Sequence, residues 1–560
     1  MNKIIAFFLV LLPLMLTAQN KVAYKVSYEK YVNSEKRKDK VHIIYADGMV
    51  YLSDADAKQK HFIDLQQQEN VSTINFEGKA YKQVTPFSEL SEPNLGSISD
   101  TIMNYVCKHV SYVSFSNKVN VWYTEDAKAK GAPSGTYLPS KDALVLRILV
   151  NGTSELRACA IDELKSFNYD DSSIKEAEFV DRARFEELKI NSRFTRLSVF
   201  KDEQINFYGK LEHCKDSVLE PNHTYHFAKG SVILKKIELT PEMQKSGQIY
   251  ARLTCQSNGD AYDRVGSVFV MPNNEAESLL KAYQHGFWTL PEYIANNGKK
   301  YHGICRKGDY EPPIEIMRFF TTFGIGDYNN KKVINNYDWA EEATFEQEVT
   351  QLIPSNEKSL WVGVYVSNYS RAGHRVSLDF EFFPSFSNTP SSNSRFVEPL
   401  FSTINTMEVQ GQLAGHFFGT DTLKMTFEIP EDMKNLELLY TTTGHGGWGG
   451  GDEFNPKLNQ VFIDGEEVFE IIPWRTDCAT YRLLNPASGN FANGLSSSDL
   501  SRSNWCPGTL TSPFRIPLNT LTPGSHTLQV VIDQGEQAGR SFSYWGVTGV
   551  LVGNFVNESL

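Results

Sequence analysis

Short apolar runs separated by turn residues recur along most of the chain, and they constrain its fold more than any other feature. Near the start, the strand-like runs Val41–Tyr45 and Met49–Leu52 flank Asp47-Gly48. An Asp-Gly pair between two such runs is a hairpin signal. Runs such as Gln248–Thr254 and Val376–Phe383 follow at the spacing of an antiparallel sandwich. We therefore expect a mainly β protein.

The chain of 560 residues is too long for one ordinary core, since domains average about 150 residues. The Pro/Ser-rich stretch Pro384–Pro399 has little to bury and predicts a connector. A helix is expected at Ser173–Leu188 in the first unit. The predicted segments are a signal peptide (1–19), a mostly β N-terminal domain (20–225), a first β-sandwich (226–392) and a second β-sandwich (393–560).

The N-terminus has the pattern of a secretory signal. Lys3 precedes the apolar run Ile4–Leu16, and Thr17-Ala18-Gln19 follows it as a small-residue exit. The apolar run is short for a membrane span. No cysteine follows it at a position that could be lipidated. A secreted or periplasmic protein is expected rather than a lipoprotein.

The net charge of the chain bears on which kinds of molecule it could bind. Its formal net charge is −12 at pH 7. Nucleic-acid binding relies on basic surfaces that replace condensed counterions, so a nucleic-acid partner is not expected. A neutral or mildly charged glycan remains compatible with this charge.

The segment Thr441–Phe454 carries the most specific chemical signal. It is rich in glycine, which permits tight turns and close approach of a ligand to the backbone. Trp448 supplies a flat stacking face and Glu453 a carboxylate. This combination suits a sugar-binding catalytic rim.

The segment resembles the catalytic C-terminal half of the peptide:N-glycosidase F family, bacterial amidases that release whole N-linked glycans from asparagine. The residues that carry the resemblance are Glu453-Phe454, the strand around Val461–Ile463, the turn Trp505–Gly508 and Arg515. The resemblance covers about residues 228–556. It implies two successive jelly-roll-like antiparallel β-sandwiches packed side by side, with the active site at their interface, and it leaves the N-terminal domain unexplained.

The family's catalytic segment, an aromatic followed by Asp-Arg before a strand, is matched by Tyr262-Asp263-Arg264 before Val265–Val270. Glu315–Thr321 resembles the next family strand, and this second match fixes the register. The resemblance therefore implies that Asp263 is the principal carboxylate, which the charge of Arg264 would keep ionised. Without the family, Asp263 would be read as a turn carboxylate beside a solvated arginine.

Glu453 corresponds to the family's second active-site acid, which shares a water with the first. Asp452 is the alternative. Side chains of adjacent residues in extended structure point in opposite directions, so only one of the two acids can face Asp263. We favour Glu453 because the aromatic Phe454 follows it.

The resemblance also implies substrate-binding residues, each with a structural alternative. Arg515 matches a family arginine near the substrate, although its spacing from Trp505–Gly508 differs by one residue, and a surface role is the alternative. Tyr262 and Phe454 stand where the family has tryptophan, and core filling is their alternative. The remaining assignments in this group are Arg264, His445, Trp448 and Ser367, with the order of His445 and Trp448 differing from that of the family.

Three departures from the family pattern bear on the pocket. A cleft glutamate of the family aligns with Ser367, and no acid nearby in the sequence replaces it. Gly451 and Asn455 replace cysteines that flank the second acid, so packing or hydrogen bonds must hold that loop. The third departure is that Tyr262 and Phe454 are smaller than the tryptophans of the family. Together these changes widen the pocket near the innermost GlcNAc, which could admit a core fucose on its 3-position.

The family places a disulfide where this chain has Cys478 and Cys506. The segment between them contains a Ser/Asn/Gly-rich stretch that core burial could not hold in one conformation. Closing a loop of this size is worth roughly 3 kcal/mol. We expect this pair to be bonded, and the sequence does not pair the other five cysteines.

The resemblance implies an amidase that hydrolyses the β-aspartyl-glucosamine bond, turns Asn into Asp and releases the glycan as a glycosylamine. Expected partners are N-linked glycoproteins and glycopeptides. We expect no metal or organic cofactor, no membrane span and a monomer. A non-catalytic carbohydrate-binding protein is the alternative. A copper monooxygenase of similar shape would need clustered His and Met ligands, which twelve scattered histidines do not supply.

Overall fold

The computed structural model describes residues 22–555 except 54–57, 166, 168–171, 209–218, 272–277, 386–394, 409–410, 447–450, 491 and 536–542. The predicted signal peptide 1–19 therefore lies outside the described residues. The chain divides into two compact units, with the division between Arg193 and Phe194. No α-helix within the described ranges is long and apolar enough to cross a bilayer.

The first unit is built on one sheet of thirteen strands. They pair in the order β13-β6-β5-β4-β3-β2-β1-β12-β11-β10-β9-β7, with β8 also on β9, and among these described strands only β13 and β6 pair in parallel. The strands are β1 (Ala23–Val32), β2 (Glu35–Ala46), β3 (Met49–Leu52), β4 (Gln59–Asp64), β5 (Glu69–Phe76), β6 (Lys79–Pro86), β7 (Asn94–Leu95), β8 (Asp100–Ile102), β9 (Tyr105–Ser114), β10 (Asn117–Thr124), β11 (Leu144–Val150), β12 (Ser154–Leu164) and β13 (Glu178–Phe179).

The hairpin predicted at Asp47-Gly48 is confirmed. Ala46 pairs with Met49 across a two-residue turn. Both central residues have positive φ, 52° at Asp47 and 81° at Gly48. A two-residue hairpin turn with positive φ at both positions matches the twist of the flanking strands, which explains the preference for Asp-Gly.

The single helix predicted at Ser173–Leu188 is wrong, because the structure has two. Helix α1 (Ser172–Lys175) and helix α2 (Arg182–Asn191) are separated by β13, which pairs with β6. Asp181 ends the extended segment by accepting a hydrogen bond from the Arg184 backbone N–H at 2.8 Å, and it thereby caps α2.

The second unit contains two β-sandwiches, as predicted. The first has sheets β14-β24-β17-β22 and β15-β16-β23-β18-β21-β30, and β19-β20 is a separate hairpin. Its elements are β14 (Thr195–Ile205), β15 (Tyr225–Phe227), β16 (Val232–Glu238), α3 (Pro241–Gln244), β17 (Gln248–Ser257), β18 (Val265–Met271), α4 (Leu279–His285), β19 (Glu292–Ile294), β20 (Lys300–His302), β21 (Ile314–Phe320), β22 (Ala343–Glu348), β23 (Ser359–Val366) and β24 (His374–Phe383).

The second sandwich pairs its strands as β25-β33-β27-β31 and β26-β32-β28-β29. Strand β30 leaves this part of the chain and joins the first sandwich. The strands are β25 (Arg395–Ser402), β26 (Leu423–Ile429), β27 (Met433–His445), β28 (Asn459–Ile463), β29 (Glu466–Ile471), β30 (Leu510–Thr511), β31 (Phe514–Pro517), β32 (Gly524–Ile532) and β33 (Tyr544–Phe555).

The boundary of the first unit differs from the sequence-based one. We placed it between residues 225 and 226, whereas the structure assigns Phe194 and all later residues to the second unit. The reason is β14, which pairs with β24 and buries Val199, Phe200 and Ile205 in the first sandwich core.

The two sandwiches are packed side by side, as predicted. Strand β30 pairs with β21 of the first sandwich. Leu439, Val550 and Val552 come from strands of the second sandwich yet lie in the first sandwich's hydrophobic core. The two sandwiches therefore share buried surface, and a site between them has fixed geometry.

A buried ion pair on β21 forms hydrogen bonds across this interface. Arg318 on β21 is fully buried and donates from Nη2 to Glu315 at 2.6 Å. Its Nη1 donates to the Thr443 hydroxyl at 3.1 Å and to the Gly546 carbonyl, both in the second sandwich. Thr548 of β33 donates to the same glutamate at 2.7 Å. One guanidinium therefore satisfies polar groups on both sides of the interface.

We expect Arg318→Met to lower the free energy of unfolding of the second unit by about 3–5 kcal/mol, because the Glu315 carboxylate stays buried without its partner. The double variant Arg318→Met/Glu315→Met should lose less, since no uncompensated charge remains. Urea titration of the three proteins measures both differences. A single variant as stable as the wild type would contradict the interpretation.

Candidate active site

The centre of the candidate site is one arginine placed between two carboxylates. The Arg502 guanidinium is fully buried, and its Nη1 donates to Glu453 Oε1 while its Nη2 donates to Asp263 Oδ2 at 3.2 Å. Asp263 lies in the loop before β18 of the first sandwich, whereas the other two residues belong to the second. The interface thus assembles the two acids that the sequence singled out.

Arg502 is positioned by its own backbone and by aromatic rings. Its backbone forms an isolated β-bridge with Arg475, with hydrogen bonds of 2.8 and 3.1 Å. Nη2 also donates to the Ser497 carbonyl at 2.8 Å. The guanidinium carbon lies 4.5 Å from the Trp505 ring centre and 4.9 Å from that of Phe454. Such cation–π contacts are favourable for a desolvated guanidinium.

The predicted disulfide between Cys478 and Cys506 is present, with a Cα–Cα distance of 5.1 Å. Inside the segment that it closes, Asn485 is fully buried and accepts a hydrogen bond from the Phe323 backbone N–H at 2.8 Å. The Asn485 amide also donates to the Tyr481 carbonyl at 2.8 Å. These constraints hold the segment that carries Arg502.

The loop before β18 is organised by Asp260. This buried carboxylate accepts bonds from Arg264 Nε at 3.0 Å and Nη2 at 3.2 Å, and from the Tyr262 backbone N–H at 3.1 Å. Arg264 is therefore bonded directly to Asp260 and not to Asp263. The Arg264 charge still acts on Asp263 through space, and it lowers the pKa of that carboxyl.

The side chains of Asp452 and Glu453 have different hydrogen-bond partners. Asp452 is fully buried and accepts hydrogen bonds from Trp545 Nε1 at 2.8 Å and from the Gly535 backbone N–H. It anchors the loop, and Glu453 is left to face Arg502. The Asn455 amide donates to the Gly451 carbonyl at 2.7 Å, so a hydrogen bond links the two positions that are cysteines in the family.

Burial raises the pKa of both acids of the pair. For Glu453, burial and the nearby Asp263 charge raise the pKa to about 7, against the lowering effect of Arg502. For Asp263, burial raises the pKa, and the charges of Arg502 and Arg264 oppose that rise. Two carboxylates that share one cation keep a proton more readily than isolated acids. Their side chains remain 14% and 20% exposed, which leaves access for water.

The aromatic residues of the prediction have different surroundings. Tyr262 is 59% exposed, with its ring centre 5.1 Å from the Arg264 guanidinium carbon, so it is not core filling. Phe454 is half-buried against Arg502. Trp448 lies outside the described residues. A flat, exposed ring beside the acid pair is therefore present at Tyr262.

His445 is not an exposed sugar-binding residue, contrary to the prediction. It ends strand β27, is 4% exposed and stacks against Tyr544 with ring centres 4.7 Å apart. The cavity that it lines has a volume of about 10 Å³, which holds no sugar ring. Burial also lowers its pKa well below the ordinary value, which keeps it neutral.

Ser367 is half-buried and lines this cavity together with Tyr365. It follows β23 directly, and its backbone N–H donates to the Val265 carbonyl at 2.9 Å. The position predicted for substrate binding thus lies close to the acid loop.

Arg515 lies outside the site, so its predicted role near the substrate is wrong. It is on β31, and its guanidinium bonds to Glu437 and Gln351. The arginine that meets the acids is Arg502, which the sequence analysis missed. The available signal was its place three residues before Trp505 and inside the predicted disulfide loop.

One cluster of potential metal ligands occurs in the part of the chain that the structure describes. It consists of Asp477, Cys478 and Cys506. The two cysteines are bonded to each other, and a disulfide has no thiolate to offer a metal.

The raised pKa of Glu453 leads to a direct test by carbon-detected NMR titration of its side-chain carboxyl. We expect a wild-type midpoint near 7 and a lower midpoint in Asp263→Asn, because removing that negative charge favours the carboxylate form. Glu437→Gln, which removes the surface carboxylate bonded to Arg515, should leave the midpoint unchanged. A wild-type midpoint near 4.5 would refute the assignment.

Comparison with known proteins gives a consistent result along the whole chain. The model of the peptide-N-glycosidase F N-terminal domain matches residues 196–382, and that of its C-terminal domain matches residues 414–552. The model of an N-glycanase N-terminal domain matches residues 19–186. Among curated protein sequences, none matches the chain significantly.

Two crystal forms of PNGF-II are similar over nearly the full length. One is 37% identical, with a TM-score of 0.82 over 95% of this chain and 99% of that chain. The other is 36% identical, with a TM-score of 0.79 over 96% and 99%. PNGase F, a glycosylasparaginase from Flavobacterium meningosepticum, is 14% identical, with a TM-score of 0.42 over 65% and 96%. The chain belongs to the peptide-N-glycosidase F family, in a longer form that carries an additional N-terminal domain.

Proposed function

We propose that this protein is a peptide-N4-(N-acetyl-β-glucosaminyl)asparagine amidase. The observation that carries the proposal is the pair of Asp263 and Glu453, which come from different sandwiches and share the buried Arg502. Family membership supports hydrolysis at the glycan–asparagine linkage. The substrates would be N-linked glycoproteins and glycopeptides, and the chemistry needs no metal or organic cofactor.

The reaction requires a base, an acid and one water. Asp263, as the carboxylate, accepts a proton from a water whose oxygen attacks the side-chain carbonyl carbon of the glycosylated asparagine. When the tetrahedral adduct collapses, the carbon–nitrogen bond breaks and Glu453 gives its proton to the departing nitrogen. The products are an aspartate in the peptide and a 1-amino-GlcNAc glycan. A pKa of about 7 allows Glu453 to hold that proton near neutral pH.

Arg502 would set the protonation state of the two acids and would take no direct part in the bond changes. Its charge keeps one of the two acids ionised, while burial keeps the second protonated. Tyr262 would offer the sugar a flat face, while Arg264, held by Asp260, lies over its ring at 5.1 Å from the ring centre. Phe454 packs on Arg502 and would bound the pocket on the other side.

A non-catalytic carbohydrate-binding protein is the alternative function. Such a protein recognises sugars with exposed rings and polar groups, and it has no need of two desolvated acids. Burying two carboxylates against one cation destabilises a fold, and perturbed acid pairs of this kind are concentrated at catalytic sites. The acid pair therefore favours the amidase.

The amidase proposal is tested with a defined N-glycopeptide and mass spectrometry. We expect the wild type to convert asparagine to aspartate, which raises the mass of the released peptide by about 1 Da relative to its asparagine form. Asp263→Asn removes the base and should lower kcat by at least about 100-fold. Binding of the glycopeptide without turnover by the wild type would favour the carbohydrate-binding alternative.

Two further variants accompany that experiment. Glu437→Gln is the control at a surface carboxylate, and Asp260→Asn changes a carboxylate close to the site. Glu437 bonds to Arg515 on the surface, and its removal should leave the rate unchanged. Asp260 holds Arg264 and touches the backbone of Tyr262, so its removal should affect KM more than kcat. Equal loss of kcat in all three variants would point to misfolding instead.

The pocket should also accept a core fucose on the 3-position of the innermost GlcNAc. Ser367 is small and uncharged, and Tyr262 and Phe454 are smaller than the tryptophans of the family at these positions. We expect kcat/KM for fucosylated and plain glycopeptides to agree within about threefold. Tyr262→Trp and Phe454→Trp should selectively slow the fucosylated substrate through steric exclusion. No turnover of the fucosylated substrate by the wild type would contradict this proposal.

A further inference from the structure

The first unit contains an open cavity of about 810 Å³. Its lining comes from strands β4, β5 and β6, from the segment that leads from β13 into α2, and from the loop residues 133–136. Binding sites for small molecules have volumes of about 300–1,000 Å³. The cavity therefore has the size of a ligand-binding site, and all of it is built from residues of the first unit.

The floor of the cavity is a polar patch on one face of the sheet. The strand register places His61, Ser72 and Gln83 opposite one another in a row across three strands. Asn70 and Thr85 are opposite each other in the next row of the same face, because side chains two residues apart on a strand point the same way. All five residues line the cavity. The floor thus offers imidazole, hydroxyl and amide groups.

Hydrogen bonds hold these polar groups in place. The Gln83 side-chain amide donates to the Thr85 hydroxyl at 2.8 Å and to the Val84 carbonyl at 2.9 Å. His61 Nδ1 lies 2.9 Å from the Ser72 hydroxyl oxygen. Side-chain amides and hydroxyls both donate and accept hydrogen bonds, as ligand hydroxyls do. Because the groups are already ordered, a ligand that binds to them loses little affinity to side-chain ordering.

Two walls rise from the sheet and enclose this patch. On one side, Phe185 of α2 is buried in a small apolar cluster against the sheet, and the Val180 backbone N–H donates to the Lys82 carbonyl at 2.9 Å. On the other side, the Asn70 amide donates to the Gly135 carbonyl at 3.2 Å. A flat polar sheet face would be an ordinary solvated surface. This face is concave, and its walls are bonded to its floor.

Phe179 gives the cavity an exposed aromatic ring. The residue lies on β13, lines the cavity and is 64% exposed. An aromatic ring beside a few polar groups with fixed positions is typical of a ligand site. A sugar ring uses both kinds of group, because its C–H face stacks on the aromatic ring while its hydroxyls bond to polar side chains.

The charged residues of the lining favour a ligand without negative charge. They are Glu89, Asp181, Arg182 and Glu186, which are three carboxylates and one guanidinium. The N-terminus of α2 attracts no further anion, because Asp181 already accepts a hydrogen bond from the Arg184 backbone N–H. An anionic ligand would therefore be repelled.

An extended polypeptide fits this cavity less well than a sugar. Such a chain gains affinity by adding a strand to an open sheet edge. At the edge of β6 beside the cavity, β13 already pairs with Tyr81 and Lys82. The groups that the floor presents are side chains of a sheet face, which suit hydroxyls better than they suit a peptide backbone.

We propose that this cavity is a carbohydrate-binding site of the first unit, which takes a neutral oligosaccharide. Gln83, Ser72 and His61 bond to the sugar hydroxyls, and one sugar ring stacks on Phe179. The site is separate in sequence from the acid pair and its aromatic residues. It binds sugar without any bond change, so the proposal does not depend on the amidase activity.

The test is calorimetric titration of the full chain with mannotriose, a neutral sugar in which two mannoses are linked α1,3 and α1,6 to a third. We expect Gln83→Ala to weaken binding about tenfold through lost hydrogen bonds. Phe179→Ala should weaken it to a similar extent by removing the stacking face. Trigalacturonate, an anionic trisaccharide, should bind at least about tenfold more weakly than mannotriose. Phe115→Ala is the matched control, because Phe115 is 99% exposed in the same unit and lies outside the cavity lining, and it should leave the affinity unchanged.

Phe179→Trp locates the sugar in a variant that keeps an aromatic ring. We expect it to bind mannotriose and to show a change in tryptophan fluorescence that the wild type and Phe115→Trp do not show. No mannotriose binding by the wild type, or equal affinities of the wild type, Gln83→Ala and Phe179→Ala, would overturn the proposal. Trigalacturonate binding as tight as that of mannotriose would overturn the preference for a neutral sugar. Binding of a short Ser/Asn-rich peptide without glycan, in place of mannotriose, would assign the cavity to polypeptides and overturn it too.

Discussion

One buried guanidinium shared by two carboxylates is the interaction on which the site depends. Arg502 is fully buried, and a buried cation without an anionic partner is strongly destabilising. One carboxylate compensates its charge, and a second one leaves the group with an excess negative charge. Burial raises the pKa of Glu453 to about 7, and the negative charge of Asp263 adds to that rise. The protonation that the proposed amide cleavage requires thus follows from burial and from the charges of three side chains.

Because Arg502 binds one acid from each sandwich, the geometry of the site depends on how the two sandwiches pack. Asp263 reaches Arg502 only because the two sandwiches pack in one arrangement, which the buried Arg318 and the pairing of β30 with β21 maintain. An aromatic contact also holds the two sandwiches together, because the Phe320 and Trp505 rings stack with their centres 4.4 Å apart. Trp505 in turn supports the Arg502 guanidinium. The geometry of the acid pair and the packing of the sandwiches are therefore supported by the same contacts.

Much of the fold could be predicted from the sequence because strand signals are local. The alternation of apolar residues and the Asp47-Gly48 turn lie within a few residues of each other, and the structure confirms both. Asp263 and Glu453 came from the resemblance to the family, whose motifs are also local. Arg502 was missed, and Arg515 chosen in its place, because only the disulfide-closed segment brings residue 502 to the acids. His445 was misjudged because glycines around it suggested a loop, whereas β27 extends to it and buries it.

The acid pair has to satisfy two opposed requirements, and its partial exposure reconciles them. Complete burial would raise the pKa of both acids and leave no carboxylate to activate water. Full exposure would let solvent screen the pair, and Glu453 would lose its proton near its ordinary pKa. With 14% and 20% of the two side chains exposed, water reaches the carboxylates while Arg502 beneath them stays dry. A sugar ring placed over Tyr262 would cover part of that opening, so substrate binding itself would complete the desolvation that keeps the proton on Glu453.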